Sequence, residues 1–115
     1  PMAAGDEVVV AAHEYSRTFT ALEQRRARDG IVVVEVPLAV PAAAPDVVAA
    51  DVLARVTART RLVVLSQATY LTGQRLPTAL VAAALRPRGI PLLVDGAHGI
   101  GLLPETVDEL GGAFY

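Results

Sequence analysis

The chain contains no cysteine and no lysine; all ten of its basic residues are arginine. Without cysteine it forms neither disulfides nor thiolate metal sites, which fits a cytoplasmic protein. Tryptophan is absent, and three Tyr and two Phe leave little surface for base stacking. With a formal net charge of −2 and arginines scattered along the chain there is no basic stripe, so no nucleic-acid partner is expected. No apolar run approaches the roughly 18 residues of a membrane span, and the N-terminus lacks a basic leader region, so the sequence reads as soluble with no membrane partner. No linker or internal repeat divides the 115 residues, which amount to one domain with a single core.

What is present is a strongly apolar chain, 53% hydrophobic with a mean hydropathy of +0.45, as expected for a largely buried sheet. Gly5-Asp6 followed by an apolar run predicts a strand over roughly Glu7–Ala12. His13 and Glu14 stand at its C-terminal end. The spacing of Phe19, Leu22 and Ala27 predicts an amphipathic helix from Tyr15 or Ser16 to Arg28, with Ser16 as N-cap and Gly30 closing it. A β-branched strand over Ile31–Val36 follows, then a proline-rich extended connection. Asp46 is expected to cap a helix of about Val47–Ala58. Leu62–Ser66 reads as a third strand, Gln67–Leu76 as a loop, and Pro77 as the first residue of a helix to about Leu85. The strand Ile90–Val94, the turn Asp95–Gly101, one helical turn within Glu105–Gly112 and the start of a strand at Ala113–Tyr115 complete the chain. Strands and helices alternating at this spacing predict an α/β fold, a parallel sheet with βαβ crossovers.

The stretch Ile90–Gly101, IPLLVDGAHGIG, is the most informative. A buried strand delivers Asp95 to its C-terminal end, and His98 follows on a turn that Gly96 and Gly99 leave free to bend. In open parallel sheets ligands bind outside the carboxyl ends of the strands. Three such ends carry polar groups here: His13 with Glu14, Ser66 through Thr72, and Asp95 with His98. By residue type alone this set suits a metal site, a hydrolase or a cofactor cradle. Two imidazoles and a carboxylate from His13, His98 and Asp95 are an acceptable zinc or iron ligand set, although their spacing matches no dense ligand motif. No G-x-S-x-G elbow surrounds Ser66, and GAHGIG has no complete βαβ unit behind it, which argues against a hydrolase and a dinucleotide fold.

Taken in order, GDEVVVAAHEYS, LVVLSQATYLTGQRLP, GIPLLVDGAHGIGLLP and ELGGAFY resemble the large domain of class V aminotransferase-fold enzymes dependent on pyridoxal 5'-phosphate (PLP). This group includes cysteine desulfurases, kynureninases and isopenicillin N epimerase-like proteins. The resemblance covers nearly the whole chain and implies part of a fold type I large domain spanning 1–115. It further implies PLP as cofactor, an amino-acid substrate and a homodimer. On this resemblance Asp95 faces the pyridine nitrogen, His98 the phenolic oxygen, and the Ala97 methyl one face of the ring. His13 stacks on the other face and, as an imidazole, suits proton relay to the substrate carbon. Tyr70 stands where desulfurases carry Asn, a choice closer to kynureninase-like members, and offers a hydroxyl to cofactor or substrate.

The family's cofactor-bearing lysine lies beyond the segment that matches ELGGAFY, and the chain has none. The stretch is therefore expected to be a fragment that is inactive alone, its reaction being of epimerase, lyase or transaminase type. The alternative is a non-catalytic module of the same fold that dimerises or binds a partner.

Overall fold

A computed structural model describes residues 2–115. Four parallel strands form one sheet: β1 (Glu7–Ala11), β2 (Val32–Val36), β3 (Thr60–Ser66) and β4 (Leu92–Asp95), in the order β2-β1-β3-β4. The intervening helices are α1 (Ser16–Asp29), α2 (Pro45–Leu53) and α3 (Thr78–Leu85), with a 3-10 turn at Arg86–Arg88 and a short α4 (Val107–Leu110).

The order follows from apolar content. All five residues of β1 are buried, and β3 is buried at five of its seven positions, so these two strands take the centre, where both faces need cover. Period-two alternation then sends side chains to two separate cores. Val9, Ala11, Val63 and Leu65 pack with Val48, Ala49 and Val52 of α2 and with Val81, Ala82 and Leu85 of α3. Val8, Val10 and Val64 pack with Leu22 and Phe19 of α1 on the opposite face. Because the chain leaves β1 for β2 on one side and later enters β3 on the other, the strand order reverses between β1 and β3. The C-terminal ends of those two strands thus border the crevice where such sheets bind ligands.

Local chemistry differs from the sequence expectation at several ends. Ser16 is not an N-cap but the first helical residue; Tyr15 holds the cap position with extended backbone and no side-chain bond. Gly30 closes α1 as expected, at φ 72°. Asp46 does not cap α2 either: Ala44 does, with Pro45 in the first turn and Asp46 favourably placed there against the helix dipole. The same helix stops at Leu53 rather than Ala58, because the following segment is drawn to the buried Glu7. Thr57 Oγ1 donates to Glu7 Oε2 at 2.5 Å, and Arg59 donates to Oε1 at 2.9 and 2.6 Å. Those bonds, Thr57's foremost, hold the Glu7 carboxyl below its ordinary value.

Toward the C-terminus, Pro77 is the residue before α3 rather than within it. β4 starts two residues later than expected and includes Asp95 as its last residue. α4 is the expected single turn, closed by a capping box between Thr106 and Glu109. The expected strand start at Ala113–Tyr115 amounts to one parallel bridge, Phe114 to Leu93. Among the described residues no helix is long and apolar enough to cross a membrane.

Candidate cofactor site

Asp95 is half-buried at the last position of β4, in register with Ser66 of β3. Its Oδ1 accepts the Ala97 N–H at 2.9 Å, which folds the chain back after the strand; among the described residues Oδ2 accepts no hydrogen bond. Ala97 and His98 are both exposed on the turn. A depression of about 410 Å³ opens above, lined by Asp95, Gly96, Ala97, Ile100, Phe114 and Tyr115.

The two glycines serve close approach, not the free bending expected from sequence, since neither has positive φ. A Cβ on Gly96 would strike the Tyr115 ring, and one on Gly99 would strike the side chain of Gln67. Gln67, 1% exposed, supports the turn from below, accepting from the Tyr115 hydroxyl at 3.2 Å and donating to Glu105 at 3.4 Å. Glu105 is itself ion-paired with Arg75.

His13 is half-buried after β1, and its Nδ1 is sealed from solvent with no hydrogen-bond partner among the described residues. Tyr70 is 41% exposed, so it is not a core tyrosine; its ring meets Tyr15 edge-on, with centroids 5.2 Å apart. The structure therefore joins Asp95 and Ala97 in one depression and places Tyr70 in another, beside Glu14 and Phe19. His13 and His98 line neither, although both lie at the same edge of the sheet. The alternative of a metal centre built on His13, Asp95 and His98 finds no geometry to support it: among the described residues no three His, Asp or Glu side chains gather as a metal would require.

Glu14 was visible in the sequence at a strand end but carried no role there. In the structure it is 2% exposed and takes two hydrogen bonds from Ser66, N–H to Oε1 at 2.5 Å and Oγ to Oε2 at 2.6 Å. Burial raises its carboxyl above the ordinary value of 4.5; the Ser66 bonds oppose this, and the charge of Asp95 adds to it. The only sequence signal was a carboxylate enclosed by the ends of apolar strands. Gln67, directly after β3, was equally silent.

The raised Glu14 makes a testable contribution to stability. The folded chain keeps a proton that the unfolded chain releases, so from pH 4.5 upward to the raised value stability falls as pH rises. Glu7 acts in the other window: its contribution is complete above its ordinary value and is lost as pH falls toward its lowered one. In Glu14→Gln the amide carbonyl still accepts the Ser66 N–H and the amide donates to its hydroxyl, without the proton linkage. The decline in Tm as pH rises above 4.5 is expected to be shallower in the variant than in the parent. Equal slopes would contradict the assignment.

The fold and this edge define a ligand-binding α/β domain with a carboxylate presented at a parallel strand end. Its family follows from comparison: the aminotransferase class-V model matches residues 1–115, and the chain belongs to that family. It is 31% identical to the putative L-cysteine desulfhydrase 2 of Oryza sativa subsp. japonica, over 98% of this chain and 25% of that protein. It is 34% identical to the isopenicillin N epimerase of Amycolatopsis lactamdurans, over 99% of this chain and 29% of that one. Among solved structures, a lysine-to-alanine mutant of C-DES with glycine covalently linked to its PLP cofactor superposes with a TM-score of 0.83 at 31% identity. That match covers 94% of this chain and 29% of C-DES. The chain thus spans about a quarter of the length of these curated relatives, and its sheet is the corresponding part of a PLP-dependent fold type I domain.

Proposed function

We propose that these residues form the central part of the large domain of a PLP-dependent enzyme acting on an amino acid, in a reaction of epimerase or lyase type. The observation that carries this is Asp95: an aspartate at the end of a parallel strand, one oxygen spent on its own turn and the other without a partner among the described residues. The donor set fits the cofactor, with a carboxylate, an unpartnered imidazole nitrogen on His13, a small side chain at Ala97 and an exposed imidazole at His98.

PLP, when bound, supplies an electron sink for charge developing at the substrate carbon next to the amino group. Asp95 would hold the proton on the pyridine nitrogen, and His98 would donate to the phenolic oxygen. His13 would cover one ring face and Ala97 the other, and the His13 imidazole would also move a proton at the substrate carbon. Tyr70, fixed edge-on by Tyr15, offers its hydroxyl to cofactor or substrate. The lysine that carries the cofactor comes from outside these residues. A homodimer is part of the proposal, supported by exposed Tyr15, Tyr70, Leu71, Ile100 and Leu102, which all follow the C-terminal ends of strands.

Removing the Asp95 carboxylate from the full-length protein is the test. Turnover of amino-acid substrates should disappear while the fold persists, and an unchanged rate would sink the assignment.

A further inference from the structure

Among the described residues, Glu14 is the fully buried titratable group at this edge that the proposed chemistry leaves unused. Its environment is specific. Alternate residues of a strand direct their N–H groups to opposite neighbours, and the Gln67 N–H goes to Asp95 O on β4 at 2.8 Å. The preceding N–H, that of Ser66, therefore points toward β1, which has already ended at Ala11. A buried N–H without a partner is costly, and the Glu14 carboxyl supplies the missing acceptor from the loop after β1. The same carboxyl also takes the Ser66 hydroxyl, so both oxygens are committed to one residue. Ser66 is the register partner of Asp95.

We propose that Glu14 is a positioning residue: through Ser66 it ties the ends of β1 and β3 across the crevice and thereby fixes the Asp95 carboxylate toward the cofactor. The inference rests on the reading that Asp95 meets the pyridine nitrogen. Burial, together with the charge of Asp95, pushes the Glu14 carboxyl above its ordinary value.

The experiment is a PLP titration of the apo form of the full-length protein, followed by absorbance well below each variant's Tm, so that lost stability is not mistaken for lost affinity. Asp95→Asn should weaken binding about tenfold or more. Glu14→Ala should weaken it on the order of tenfold, whereas Glu14→Gln, able to keep both Ser66 bonds, should stay within about twofold of the parent. Glu14→Ala combined with Asp95→Asn should bind no more weakly than Asp95→Asn alone, because one acts through the other. Should Glu14→Ala fail to fold, Ser66→Ala, which keeps the N–H and loses the hydroxyl, replaces it in the same cycle with a loss of a few-fold expected. Unchanged affinity in Asp95→Asn overturns the cofactor reading and this inference with it. A loss in Asp95→Asn with none in Glu14→Ala, or a Glu14 loss that adds in full to it, overturns this inference alone.

Discussion

Asp95→Ala in the full-length protein is expected to lower kcat about a thousandfold or more and to leave the fold intact. Both halves of the expectation come from its position. Among the described residues the carboxylate makes one hydrogen bond, to the local Ala97 N–H, so its structural loss is about 1 kcal/mol. The register of β4 with β3 runs through backbone bonds over Val63–Ser66 and Leu92–Asp95 and survives the change. Chemically, however, the proposed role of this carboxylate is to keep the proton on the pyridine nitrogen, a role alanine cannot fill. Steady-state kinetics together with circular dichroism separate the two effects. A rate within a few-fold of the parent, with normal structure, would remove Asp95 from the site.

The largest stability effect is expected at Leu65→Ala, at about 3 kcal/mol. Leu65 is 0% exposed in a central strand and belongs to the core between the sheet and helices α2 and α3. Its neighbours are held by backbone ladders on both sides of β3, so the space left by the removed atoms closes only partly. Val33, on the edge strand and half-buried, lacks that constraint, and its truncation should cost clearly less. Urea unfolding of the two variants measures the contrast; a cost below about 1 kcal/mol at Leu65 would contradict the packing described.

The elements that were legible in the sequence share one property: their apolar pattern alone determines them. VVVA in β1 and LVVLS in β3 read as strands from their own apolar residues, and the Gly30 stop of α1 was legible from the glycine itself. The failures lay at helix ends. Ser16 and Asp46 have good capping side chains but sit one or two residues inside their helices, and α2 ends early because Thr57 and Arg59 reach Glu7, some 50 residues away in sequence.

The candidate site divides in the same way. The strand-end position of Asp95 was legible because a carboxylate ending an apolar run is conspicuous. The roles of Glu14 and Gln67 were not, because they exist only once β1, β3 and the turn after β4 are brought together. Gly96 and Gly99 were recognised as meaningful for the wrong reason: their requirement comes from the Tyr115 ring and the Gln67 side chain, which no local pattern contains.

The most direct test is a crystal structure of the full-length protein with PLP bound. The account predicts the pyridine nitrogen within about 2.7–3.2 Å of an Asp95 carboxylate oxygen, with Glu14 still bonded to Ser66 beneath it. A cofactor whose ring nitrogen meets another group, with Asp95 engaged only by its own turn, would contradict it.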